Sequence, residues 1–281
     1  MKNSLISTYI QLMVLVLSFL LLFNYTLIEL FKDWSTNPNY SHGFLVPCIT
    51  AFMIWQKREK LCLSSLSPSN WGLLILIMGM IVHVVANLGA ELFTMRIAMV
   101  ITIFGFSIYF MGGKITRNIA VPLGYLIFMI PIPAVLWNKI AFPLQIFASR
   151  MAEIVIRAMG ISVLREGNIL YLTNTTLEVV DACSGIRSLI TLSALSAAFA
   201  YLSNHSIPKK WILFTAALPI ALLVNIIRLS LTAGLASRFG EKVAQGFIHE
   251  FSGLFIYLLG LVLLVSVHGV LSKLRRTLRT L

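Results

Sequence analysis

Three side chains in this sequence are those that acyl transfer from a peptide bond requires: a thiol at Cys183, a guanidinium at Arg228 and an imidazole at His249. Together they supply a nucleophile, an oxyanion stabiliser and a proton carrier. Cys183 stands in Val179-Val180-Asp181-Ala182-Cys183-Ser184-Gly185-Ile186-Arg187-Ser188, where a polar segment meets a long apolar run. If Asp181 or Ser184 caps the helix that starts there, Cys183 lies in its first turn, where the positive end of the helix dipole favours a thiolate. Arg187, four residues on, returns to the same helical face and adds positive potential. The competing reading is a small buried apolar residue, which is what most free cysteines are.

Arg228 lies in Asn225-Ile226-Ile227-Arg228, well inside an apolar stretch, and its guanidinium does not shed its proton to lower the cost of burial. Charges at such depth face the protein interior and mark function. Counting 17 residues from Trp211 at about 1.5 Å each puts Arg228 roughly 25 Å from one membrane edge, at the depth of Cys183. Snorkelling to the headgroups is the alternative, but Asn225, three residues earlier on the same face, points to a polar-lined cavity. His249, in Phe247-Ile248-His249-Glu250-Phe251-Ser252-Gly253, lies just before the last apolar run; alone it reads as an interfacial polar residue. His42, in Tyr40-Ser41-His42-Gly43, is a supporting candidate on the same side. His83, His205 and His268 read as packing or boundary residues. The cysteines at 48, 62 and 183 form no CxxC pair, so neither a metal site nor a cofactor is expected and Cys183 is a free thiol.

The elements that must position these groups are membrane helices. Of 281 residues, 58% are hydrophobic and 11% charged, and apolar stretches of the roughly 20 residues that cross a hydrocarbon core recur along the chain. The spans are read at roughly 8–30, 43–56, 71–89, 97–112, 119–137, 184–203, 211–234 and 251–271, eight in all. The first is an uncleaved anchor, because Glu29-Leu30-Phe31-Lys32-Asp33-Trp34 follows it in place of a small-residue cleavage site. Lys2, Lys57-Arg58-Glu59-Lys60, Lys114 with Arg117, Lys209-Lys210 and the tail from Lys273 share one face if the spans alternate, which makes that face and both termini cytoplasmic. The net charge of +12 is therefore a topology signal, and nucleic acid is excluded as a partner: the basic residues are dispersed over short loops.

Residues 138–183 break the pattern. An amphipathic piece with Arg150, Glu153 and Arg157 reads as an interfacial helix that ends at Gly160. Alternating β-branched residues from Ile161 to Val180, with Glu166-Gly167-Asn168 as a turn, read as a small β-ribbon on the outer face that leads into Cys183. The fold class is thus an all-α integral membrane protein of about eight transmembrane helices with that ribbon and interfacial helix, one domain over residues 1–281 with no repeat and no additional soluble C-terminal domain.

The blocks Tyr40-Ser41-His42-Gly43, Pro131-Ile132-Pro133, Ala182-Cys183-Ser184-Gly185-Ile186-Arg187-Ser188, Asn225-Ile226-Ile227-Arg228 and His249 together resemble the exosortase and archaeosortase family, membrane cysteine transpeptidases of protein sorting. The resemblance covers nearly the full length, and Cys-Ser-Gly-Ile-Arg is its most specific block. It implies catalytic Cys183, Arg228 and His249, with an arginine replacing the histidine in the archaeal branch. It also implies exported substrates carrying a C-terminal Pro-Glu-Pro motif, a transmembrane helix and a basic tail (the PEP-CTERM signal), often alongside exopolysaccharide genes. The localisation implied is the bacterial inner membrane with the site on the periplasmic face.

The expected reaction is attack of Cys183 on the scissile carbonyl to form a thioester, with transfer to an acceptor that the sequence does not identify. Arg187, Arg157 or Arg165 are candidates to attract the substrate glutamate. Two other readings stand beside it. One is a cysteine protease that only hydrolyses. The other is a small-solute transporter, against which the absence of paired broken helices in the sequence pattern speaks.

Overall fold

The computed structural model describes residues 2–62, 66–173, 175–179, 185–240 and 247–277. It is mostly helical and divides into two compact units, Met1–Pro131 and Ile132–Leu281.

The first unit contains α1 (Lys2–Leu22), α2 (Asn24–Thr36), a 3-10 turn Ser41–Phe44, α3 (Leu45–Trp55), α4 (Arg58–Cys62), α5 (Asn70–Leu88), α6 (Leu92–Met111), α7 (Gly113–Tyr125) and a second 3-10 turn Leu126–Met129. The first expected span is not one straight helix: α1 and α2 meet at an angle of 67°. The bend falls at Phe23, which is fully buried with its ring 4.4 Å from that of His83. Neither Gly nor Pro stands at this break. α5 exposes Leu74, Ile81, Val85 and Leu88 along one stripe, the apolar outer face of a helix solvated by lipid, while Gly72, Gly79, His83 and Ala86 are buried.

The second unit contains α8 (Ala134–Ala158), β1 (Val163–Glu166), β2 (Ile169–Leu172), β3 (Thr176–Glu178), α9 (Ile186–Leu202), α10 (Ile207–Thr215), α11 (Ala217–Phe239) and α12 (Phe247–Thr277). The expected ribbon is present as an antiparallel meander in the order β1-β2-β3. Glu166 pairs with Ile169 across the turn, and Gly167 has φ +63°, the sign that a two-residue hairpin turn demands. Side chains alternate as a half-buried sheet requires: Leu170 and Leu172 are buried while Tyr171 is exposed. The buried face packs with Ala148, Ala152 and Ile156 of α8 and Leu229, Ala233 and Ala236 of α11 into one apolar cluster. A second cluster joins α9, α10, α11 and α12 through Leu192, Leu213, Ile220, Val224 and Leu264. α11 therefore belongs to both clusters.

Among the described residues, three helices are long and apolar enough to cross a membrane: Asn70–Leu88, Leu92–Met111 and Ile207–Phe239. Counting two interrupted pairs as one span each raises the number to five. Three expected spans are not in this count: 43–56, 184–203 and 251–271, the last lying in α12, whose side chains are described only in part. α3 has 11 residues and α9 has 17, so at about 1.5 Å per residue neither fills a 30 Å core alone.

Candidate functional site

Gly185 fixes how the chain enters α9. It is the N-cap, with φ +81° and ψ −5°, a left-handed conformation that costs an L-residue roughly 1–2 kcal/mol. A Cβ there would also lie 3.1 Å from Cβ, Cγ and Nδ2 of Asn225. Conformation thus favours glycine here, and a Cβ would also press on Asn225 of α11. This corrects the expected cap. The helix begins at Ile186 behind Gly185, not behind Asp181 or Ser184, and Cys183 precedes that cap by two positions in the sequence. Asp181, Cys183 and Ser184 themselves lie outside the described residues. Arg187 is in the first turn of α9, half-buried.

Opposite Gly185, α11 presents two polar side chains on one face. Asn225 is 1% exposed and Arg228 9%. Spacing of three residues makes them neighbours on the helix surface. Arg228 is buried within the protein, which removes the snorkelling reading. Leu229, the next residue, joins Val179 in the cluster beneath the sheet. Val179 is held a second way: its N–H donates to the Asn168 carbonyl at 2.9 Å, and Asn168 Nδ2 donates back to the Val179 carbonyl at 3.3 Å. The turn beside Asn168 is anchored to α8, where buried Ser149 Oγ donates to the Gly167 carbonyl at 3.0 Å. The chain on either side of residues 180–184 is therefore pinned against α11, by Val179 near Leu229 and by Gly185 against Asn225.

Arg157 and Arg165 have a different employment. Arg157 Nη2 lies 2.7 Å from Glu153 Oε1, and Arg165 Nε lies 3.0 Å from Glu153 Oε2. One carboxylate thus ties α8 to β1, and Arg165 Nη1 also donates to the Gly167 carbonyl at 2.9 Å. These arginines brace the sheet, so of the three candidates for the substrate glutamate Arg187 is the one outside this clamp.

In the first unit, His42 lies in the turn before α3, its Nε2 3.2 Å from the Phe128 carbonyl. A carbonyl only accepts, so this contact is a hydrogen bond when Nε2 carries a proton. Burial lowers the His42 pKa, with the Phe128 and Asn39 carbonyls pulling the other way. Trp34 Nε1 donates to the next carbonyl, Met129, at 2.9 Å. A Cβ at position 43 would collide with the Trp34 indole, so Gly43 lets the ring reach. Tyr-Ser-His-Gly thus closes the end of the 3-10 turn Leu126–Met129, whose carbonyls have no further helical partners.

The model of the transmembrane exosortase family matches residues 34–266, a stretch that includes every block just placed. The chain belongs to the transmembrane exosortase family. No curated protein and no solved structure matches it. Membership makes the chain a multi-pass membrane protein of a transpeptidase and protease family that acts on exported proteins.

In this exosortase, His249 falls in the first turn of α12, whose backbone is described there while the His249 side chain is not. α12 packs on α11 through Leu264 and Leu271 against Ile220 and Val224. Sequence reading missed an ion pair in the first unit: Arg96, 2% exposed, reaches Asp33 with Nη2 2.6 Å from Oδ2. The signal available was an arginine at a span edge with an aspartate at the end of an earlier span. The His205–His268 contact, Nε2 to Nδ1 at 3.1 Å, was likewise read as two separate boundary residues. Cys48 is exposed, its Sγ 3.7 Å from the Phe44 carbonyl one turn earlier in the chain.

Proposed function

We propose that this exosortase is a cysteine transpeptidase that cleaves the C-terminal Pro-Glu-Pro-type sorting signal of exported proteins at the outer face of the inner membrane. The observation that carries the reading is the packing of Gly185 on Asn225, one turn from buried Arg228. Cys183 stands two residues before Gly185 in the sequence. The arrangement of eight crossings, with both termini cytoplasmic, is part of the same proposal and rests on the basic loops.

In this mechanism the Cys183 thiolate attacks the scissile carbonyl. Arg228 stabilises the oxyanion by donating two fixed N–H groups. Collapse of the tetrahedral intermediate breaks the C–N bond, and His249 protonates the leaving amine of the transmembrane tail. A thioester to Cys183 remains, an acceptor nucleophile loses its proton to His249, and its attack returns the thiolate. Water as acceptor gives hydrolysis; another nucleophile gives transfer.

The test is the ratio of precursor to processed substrate on a gel, with variant levels in the membrane measured in parallel. Cys183→Ser and Cys183→Ala accumulate precursor, because a hydroxyl is hardly ionised at neutral pH. Cys48→Ala and Cys62→Ala process normally. Substantial processing by well-expressed Cys183→Ala would remove the nucleophile and favour a transporter or scaffold.

A further inference from the structure

α11 and α12 flank an open-sided groove of about 390 Å³, within the roughly 300–1,000 Å³ of ligand clefts. Pro219, Ile220 and Leu223 of α11 form one wall and Leu263, Val267 and Leu271 of α12 the other. The hydroxyl that borders it, Ser266, donates to the Val262 carbonyl at 2.8 Å in its own helix. Nothing along its length asks for a polar ligand, and from Leu263 to Leu271 it runs about 12 Å at helical rise.

One end is different. The carbonyl of Leu271, at that end of the α12 wall, accepts a hydrogen bond from Lys209 Nζ at 2.9 Å. This holds an ammonium, a group with three donors, at the end of an apolar slot. His205 and His268 meet nearby, Lys210 Nζ donates to the Tyr201 carbonyl at 3.1 Å, and Lys273 follows Leu271 by two residues. Residues 185–240 and 251–281, which carry the groove and this rim, contain no Asp or Glu; Glu250 of α12 stands at the opposite end of that helix, 13 residues before Leu263. An apolar slot ending in concentrated positive charge complements one kind of occupant, an acyl chain with an anionic head.

We propose that the groove binds an anionic phospholipid of the cytoplasmic leaflet, one acyl chain lying between α11 and α12 and the phosphate meeting Lys209. Basic pockets between membrane helices on the cytoplasmic side bind anionic headgroups in this manner. The inference goes beyond the peptidase reading and does not depend on chemistry at Cys183. It requires only that the Lys209 end face the cytoplasm, as the basic loops indicate.

The experiment is native mass spectrometry of the full chain, delipidated in mild detergent and exposed to equimolar phosphatidylglycerol and phosphatidylethanolamine. Phosphatidylglycerol is retained roughly fivefold better, the worth of one lysine near an anionic surface. Lys209→Gln brings the two lipids to parity, Leu223→Trp fills the slot and lowers retention of both, and Lys114→Gln, a basic change in the other unit, alters neither. Equal retention of the two lipids by the unaltered chain, or undiminished preference in Lys209→Gln, overturns the proposal. Loss of preference in Lys114→Gln reveals surface attraction alone and also overturns it. Stoichiometric displacement of lipid by a synthetic substrate transmembrane helix would give the groove to substrate. Processing activity is not read in any arm, so failure here leaves the peptidase reading untouched.

Discussion

At the scale of single residues, Arg228 carries the most weight. Its depth was legible because no other cation stands inside that apolar run, and its burial follows from the neighbours that α11 collects on the same face. Its proposed role needs a planar fork, which an ammonium does not supply. Arg228→Lys therefore keeps the charge and loses processing, by roughly 10² to 10³ in rate, about 3 to 4 kcal/mol, if one oxyanion donor is lost. The check is a single-turnover time course at equal protein level. Near-normal rates in Arg228→Lys would leave only an electrostatic or structural duty. Arg157 and Arg165 show what sequence hides at this scale: both were candidates for substrate, and both turn out to share Glu153. Glu153 and Arg157 are one helical turn apart and readable as a pair, whereas Arg165 reaches Glu153 only because β1 folds back on α8.

At the scale of elements, the sheet was legible in detail. Glu166-Gly167-Asn168 announced its turn and the alternation of residues 161–180 its buried face. The cap of α9 was not. Asp and Ser are the usual capping residues, and they stand beside a glycine that abuts Asn225 of α11, 40 residues later in the chain. The bend at Phe23 was not legible either, since neither Gly nor Pro marks it; there Phe23 packs on the ring of His83 in another helix. The glycine cap has a measurable consequence. Gly185→Ala costs roughly 1–2 kcal/mol for the left-handed conformation and pushes on Asn225, so both thermal stability and processing fall. Gly124→Ala, within α7 and with open space where its Cβ would stand, is neutral or stabilising by up to about 1 kcal/mol. A thermal-shift series on the two variants distinguishes them. Equal melting of Gly185→Ala and the unaltered chain would deny that α9 is seated through this residue.

At the scale of the whole molecule, composition alone establishes the membrane as the solvent, and the proposed orientation rests on the loops rich in Lys and Arg. The count of crossings is harder to read, because a run of apolar residues does not reveal whether a helix is continuous, as α1 and α2 show. The account as a whole turns on one covalent bond, the thioester between Cys183 and the exported protein. Membranes holding the unaltered chain and a tagged substrate with its Pro-Glu-Pro signal are quenched in acid during turnover, digested and analysed by mass spectrometry. The account predicts a Cys183 peptide bearing, as a thioester, the substrate residues immediately amino-terminal to the scissile bond, released by hydroxylamine and absent in Cys183→Ala. Processed substrate accumulating with no hydroxylamine-sensitive adduct on Cys183, and equally in Cys183→Ala membranes, would contradict it.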